Sequence, residues 1–279
     1  MISYPFSLRD LCLAIEAALP ATRNRSGALR RGGKKSWHQR ARIEERKVRA
    51  TGRFPDDAEP LWNELKKVFA QIQGDGAARV KCAYCERHLH LGIANLPDCD
   101  VDHFRPKSLY PLLAYHPRNY VLACRICNET YKRSHFPIAR SRAVNSKRLA
   151  ELDAEQADFV HPLDPREPRL EDLIGFEGII AMPLANLSAR EERRANAMID
   201  ALQINRRDDL RRDRTKIIAE IYRAKTEKSS DSIVPIILRS AADRFEEYTN
   251  CAQSYLKLWD NDPDDAKKLG EEAYQTLYP

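Results

Sequence analysis

No apolar run in the chain approaches the ~20 residues that a helix needs to cross a bilayer, which excludes a helical membrane span. The opening stretch, MISYPFSLRDLCLAIEAALP, lacks the basic start and small-residue cleavage site of a secretory signal and reads as an amphipathic helix. Both absences point to a cytosolic chain. No segment repeats with a period of 20–50 residues, which excludes a repeat architecture. There is no G-x-x-x-x-G-K-[ST], so the chain carries no P-loop nucleotide site of its own. What remains is ordinary in bulk: 279 residues, 43 % hydrophobic, enough to pack an interior and too apolar for global disorder.

The net charge of +6 is unevenly spread. Residues 21–53 hold twelve Lys or Arg, Lys34 and Lys35 among them, against Glu44 and Glu45 alone, a local charge of +10 that leaves the remainder net acidic. A concentrated basic patch suits a phosphate backbone. RNRSGALRRGGKKS is also rich in Gly, Ser and charge, the composition of a solvated linker. The two readings are compatible, since such arms often order only on their polyanion.

Three blocks follow from composition and periodicity. Residues 1–80 combine the first helix, the basic arm and a second helix in which Leu61, Leu65, Val68, Phe69 and Ile72 recur at helical spacing after Pro60. Residues 81–140 are short, turn-rich and Cys/His-rich. Residues 141–279 return to amphipathic, charge-laced helices, after a Pro-rich stretch around GFEGII that reads as a short strand pair serving as lid or connector. The tail from 243 onward is acidic.

Seven cysteines in a cytosolic chain are better read as metal ligands than as disulfides. Cys82 and Cys85 form one C-x-x-C knuckle; Cys124 and Cys127 form another, 38 residues on. Two such knuckles close a tetrahedral four-cysteine zinc site, which stabilises structure and offers no open position for chemistry. Cys12, Cys99 and Cys251 stand apart as buried or incidental thiols. The long gap means that something is mounted between the knuckles.

That insert contains PDCDVDHFRPKS, residues 97–108. Asp102 and His103 are followed by Asn119 sixteen residues later and by Asn128 nine further on, directly after the last zinc cysteine, where a helix should begin. This order resembles the HNH (ββα-metal) endonucleases. The resemblance implies His103 as general base, Asp102 and Asn128 as oxygen ligands of a catalytic Mg2+ or Mn2+, and Asn119 bracing the loop that carries the histidine. The residue types suit phosphodiester hydrolysis. A neutral imidazole can take a water's proton near neutral pH, and a hard divalent ion bound by oxygens neutralises charge on the phosphate and leaving group. Arg105, Lys107, Lys132 and Arg133 are expected on nucleic-acid phosphates, along with Lys34 and Lys35. Asp98 and Asp100 read as turn residues. His88, His90, His116, His135 and His161 read as structural or solvated, and Tyr84 and Tyr131 as packing around zinc.

LWNELKKVFAQIQ, KCAYCE, DVDHFRPK, NYVLACRICNETYKRSHFP, VHPLDPREP and IDALQINRRDDLRRDR together are similar to the HNH nuclease subunit of Septu anti-phage systems and of retron-associated relatives. That similarity spans most of residues 60–215. It implies an ABC-type ATPase partner, with the helical block at 141–279 as the docking candidate. The expected fold is α+β: a mostly helical chain with an inserted zinc-stabilised ββα-metal core. A stand-alone restriction-like HNH nuclease and a catalytically inert, zinc-framed nucleic-acid-binding module are the competing readings.

Overall fold

The computed structural model describes residues 8–21, 33–75, 79–89, 99–226 and 233–278. Arg23, Arg25, Arg30 and Arg31 of the basic arm, His90 and Asp98 lie outside them. Helix α1 (Leu8–Ala18) is followed by α2 (Trp37–Thr51). The second half of the basic arm is therefore helix rather than linker. Ser36 starts it: its hydroxyl accepts from the Gln39 amide while Gln39 returns a bond to the Ser36 amide, a reciprocal cap. Gly52, at φ 66°, stops it in the left-handed conformation that glycine adopts without strain. Several arm cations are engaged within the fold. Arg40 meets Glu64 at 2.5 Å, Arg49 meets Glu45 at 2.9 Å, and Lys47 meets Glu44 at 2.7 Å.

The periodic run after Pro60 begins as a 3-10 turn (Leu61–Leu65) and continues as α3 (Lys66–Gln73). Leu61, Leu65, Val68 and Phe69 are buried, as the spacing predicts. Strands β1 (Cys99–His103) and β2 (Tyr120–Cys124) pair antiparallel, with Cys99 opposite Cys124 and His103 opposite Tyr120. An isolated two-stranded ribbon is marginal in water. Here its free edge is occupied by Gln73, fully buried, whose amide accepts from the Leu122 N–H at 2.6 Å and donates to the Leu122 carbonyl at 3.1 Å. Residues 126–132 then form a π-helical turn, closed by the Arg133 amide on the Asn128 carbonyl at 2.8 Å. The sequence pattern predicts a helix opening at Asn128; the wider turn starts at Ile126.

Helix α4 (Leu149–Ala154) leads to the hairpin β3 (Ile174–Glu177) and β4 (Ile180–Pro183). This pair packs on later helices, with the Asn250 amide donating to the Ile174 carbonyl at 2.7 Å. Helices α5 (Ala189–Ala201), α6 (Asp208–Thr226), α7 (Ile233–Ala242), α8 (Thr249–Asn261) and α9 (Pro263–Leu277) complete the chain, α9 lying along α6 and α8. Buried side chains form one continuous cluster from Leu11 to Ala273. The fold is the expected α+β arrangement, with small sheets in a helical body. Among the described residues no helix is long and apolar enough to cross a membrane.

Candidate active site

Cys82, Cys85, Cys124 and Cys127 converge, their sulfurs all within 4.8 Å of one another. Zn–S bonds of about 2.3 Å in a tetrahedron put sulfurs about 3.8 Å apart, and Cys85 and Cys124 are 3.8 Å apart. Backbone amides turn toward the sulfurs: Tyr84 and Cys124 donate to Cys82 at 3.4 and 3.3 Å, and Cys127 donates to Cys124 at 3.4 Å. The Arg207 guanidinium donates to the Cys127 sulfur at 3.1 Å. Four buried thiols with inward amide donors and one adjacent cation fit a divalent ion held by thiolates. Cys99 and Cys251 are buried outside this group.

Because β2 ends in the second knuckle and β1 pairs with it, the zinc frame fixes where Asp102 and His103 project. A cleft of about 400 Å³ opens beside them, lined by Trp62, Asp100, Asp102, His103, Lys107, Asn128 and Arg133 among others. Asp102 and His103, adjacent on β1, and Asn128 of the π turn thus line the same cleft. Lys107 and Arg133 bring positive charge to the same space.

His103 is held on three sides. Its Nε2 lies 3.0 Å from the Ala114 carbonyl. A carbonyl only accepts, so Nε2 carries the proton and Nδ1 keeps a lone pair. Trp62 and Tyr120 stand edge-on to the ring, with centroids 4.7 and 5.2 Å away. Burial, reinforced by Lys107, pushes the imidazole down to about 3, against a smaller opposing effect of the Ala114 bond. The ring is therefore neutral at physiological pH, the state a proton acceptor needs.

Asn119 is buried behind this wall, outside the cleft. Its side chain accepts from the Arg105 amide at 2.8 Å and donates to the Arg105 and Leu113 carbonyls at 2.9 and 3.2 Å. It ties the two ends of the segment between His103 and Ala114 and is not among the residues that line the cleft.

Asp102 accepts from the Tyr84 hydroxyl at 2.5 Å and from Lys132, whose ammonium is 3.0 Å from Oδ1 and 2.8 Å from Oδ2. Two expected phosphate contacts are corrected here. Lys132 is fully buried, and it also donates to the His103 carbonyl at 2.9 Å, so it cannot reach a backbone phosphate. Arg105 is turned inward on Glu155, Tyr110 and the Leu152 carbonyl, a buried anchor for α4. Lys107 does line the cleft, its ammonium 4.3 Å from the Trp62 ring centre and 4.8 Å from that of Phe54. Arg133 is exposed at the rim with φ 47°, a strained conformation for a side-chain-bearing residue. Lys34 and Lys35 are exposed away from the cleft lining, Lys34 being 4.0 Å from Glu64.

Sequence reasoning missed three residues. Asp100, read as a turn residue, lies on β1 and shares the cleft with Asp102, facing Lys66 and Arg125 at 3.7 and 3.8 Å. The two-residue alternation of a strand could have found it. Tyr84, read as zinc packing, also reaches Asp102. Trp62 comes from an element about forty residues upstream of His103, and no local signal marks it.

The sequence model of the HNH endonuclease family matches residues 82–134, the span from the first knuckle through the π turn. The chain is also similar to the Septu protein PtuB of Bacillus mycoides (strain KBAB4), 25 % identical over 236 residues that cover 76 % of this chain and 72 % of that protein. No solved structure matches the chain. An HNH endonuclease domain therefore occupies the region framed by the four cysteines, and most of the chain is similar to a Septu protein.

Proposed function

We propose that the chain is a metal-dependent endonuclease that hydrolyses phosphodiester bonds of DNA, and that it serves as the nuclease of an anti-phage complex with an ABC-type ATPase. The observation that carries the catalytic part is the convergence of Asp102, His103 and Asn128 on one cleft, with the His103 tautomer already set by Ala114. Bound at Asp102 and Asn128, Mg2+ or Mn2+ would supply charge neutralisation at the phosphate and the leaving 3′ oxygen. The protein's own part is acid–base and positional. A water entering the cleft gives its proton to Nδ1 of His103, while Lys107 and Arg133 hold phosphate oxygens. Asn119 keeps the His103 loop from shifting. The four cysteines hold Zn2+, which fixes the frame.

The resemblance to a Septu protein supports the defence setting and the partner, and the absence of a P-loop in this sequence agrees with an ATPase supplied in trans. The test is cleavage of supercoiled plasmid with Mg2+, Mn2+ or EDTA, by the chain alone and co-expressed with the product of its genomic neighbour, with and without ATP. Metal-dependent nicking by wild type, lost by at least about a hundredfold in His103→Ala with DNA affinity retained, is the expected result. Metal-independent binding with no cleavage by either protein, under any partner condition, would replace the enzyme with a binding module.

A further inference from the structure

Lys132 sits under the cleft with no exposed surface; its ammonium donates to Oδ1 of Asp102 and to the carbonyl of His103, and lies 2.8 Å from Oδ2 of Asp102. Cys127, at the other end of the same π turn, belongs to the four-cysteine cluster, which anchors the turn that carries the lysine. Asp102 also accepts the Tyr84 hydroxyl. The carboxylate assigned above to a divalent ion is thus already paired with a buried ammonium. An incoming ion must share it, and two cations on one carboxylate repel each other strongly where water is excluded.

We propose that Lys132 is a built-in counter-ion that orients Asp102 and weakens divalent-ion binding in the cleft, so that firm binding requires the additional negative charge of a substrate phosphate. Lys132 is a positioning residue: it acts through Asp102 and touches no substrate. Asp100 shares the cleft, with Lys66 and Arg125 at 3.7 and 3.8 Å, and its Oδ2 accepts no hydrogen bond among the described residues, so its charge is offset less closely than that of Asp102. The idea rests on Asp102 being a metal ligand as proposed above, and the experiment separates the two claims.

Mn2+ affinity is measured by electron paramagnetic resonance on zinc-loaded protein without DNA, for wild type, Asp102→Ala, Lys132→Met, Lys132→Gln and Lys132→Arg, with melting temperature and zinc content recorded for each. Both neutral variants are expected to bind Mn2+ at least about tenfold more tightly than wild type, although cleavage falls because Asp102 and the His103 carbonyl lose their tether. Lys132→Arg, which keeps the charge, should bind as wild type does. A purely structural role predicts the opposite sign, weaker Mn2+ binding in the neutral variants. If Asp102→Ala reduces Mn2+ binding while the neutral variants bind no more tightly than wild type, the counter-ion role is overturned. Failure of both neutral variants to fold overturns it as well, since Lys132 would then be a support of β1. If Asp102→Ala binds Mn2+ as wild type does, the ligand assignment itself falls.

Discussion

The Asn119 side chain satisfies three backbone groups of the loop behind the cleft, the Arg105 amide and the Arg105 and Leu113 carbonyls. Asn119→Ala takes the partner from the Arg105 amide and carbonyl, while the Leu113 carbonyl keeps the His116 amide at 3.1 Å; the loss costs about 2–3 kcal/mol and frees the segment whose Ala114 carbonyl sets the His103 tautomer. Urea denaturation should show that loss, with cleavage reduced more than DNA binding. Asn119→Asp should be no better: it keeps an acceptor for the Arg105 amide but turns a carboxylate oxygen against two carbonyls. A second residue-scale expectation concerns pH. His116 and His161 are each pushed down to about 4, mainly by burial, with Lys147 and Arg118 adding to it at His116. In the unfolded chain both titrate near ~6.5, so the unfolded state binds more protons between about 4 and 6.5. Stability therefore rises with pH through that window and is lost on acidification, by up to about 2 kcal/mol per residue at pH 5. His116→Gln should narrow the gap between urea midpoints at pH 7 and pH 5; an unchanged gap would mean that His116 is not held neutral by the fold.

At the scale of elements, the β1–β2 ribbon is stabilised from outside itself. Gln73 occupies the edge of β2, and the Cys124 amide at its end donates to the Cys82 sulfur. Cys82→Ser should accordingly do more than weaken zinc: it should release the end of β2 and, through the pairing, the strand that carries Asp102 and His103. The expected outcome is loss of zinc by elemental analysis, together with loss of the cooperative melt in the near-ultraviolet, because a closed four-thiolate site supplies much of a small block's stability. The parts legible in the sequence were those encoded locally. C-x-x-C spacing announced the knuckles, and helical periodicity announced Leu61 through Phe69. The π turn was not legible, because residues 126–132 are compatible with an ordinary helix and only the fixed cysteine and the buried lysine select the wider form. For the same reason Lys132 and Arg105 read as surface cations. A lysine's charge is visible in sequence; the carboxylate that draws it inward, thirty residues away in the case of Asp102, is not.

Across the whole molecule, the helical block at 141–279 is bound up with the cysteine frame as well as being a candidate docking surface. Arg87, just after the first knuckle, pairs with Asp209 and Asp213 of α6 at 2.8 and 3.2 Å. The buried Lys81 donates to the Glu246 carbonyl at 2.8 Å and to the Thr249 hydroxyl at 3.1 Å, and His88 reaches the Phe245 carbonyl at 2.8 Å. Arg207, on the approach to α6, bonds a zinc-site sulfur directly and is itself held by Asp209 at 2.8 Å. These polar groups are largely withdrawn from water and lean on partners beyond residue 190, and a buried charge left unpaired costs several kcal/mol. Deleting residues 190–279 should thus strip zinc from the knuckles as well as remove any partner surface, so loss of ATPase binding by such a truncation would not by itself locate the interface. A better discriminator is a set of charge reversals on outward faces of α9, where Lys267, Lys268, Glu271 and Glu272 stand at the surface. Those variants should retain one zinc per chain and metal-dependent cleavage. Arg207→Met, in contrast, should release zinc to a chelator severalfold faster than wild type while leaving the α6–α9 packing intact, and a release rate equal to wild type would show that the clasp does not bear on the ion.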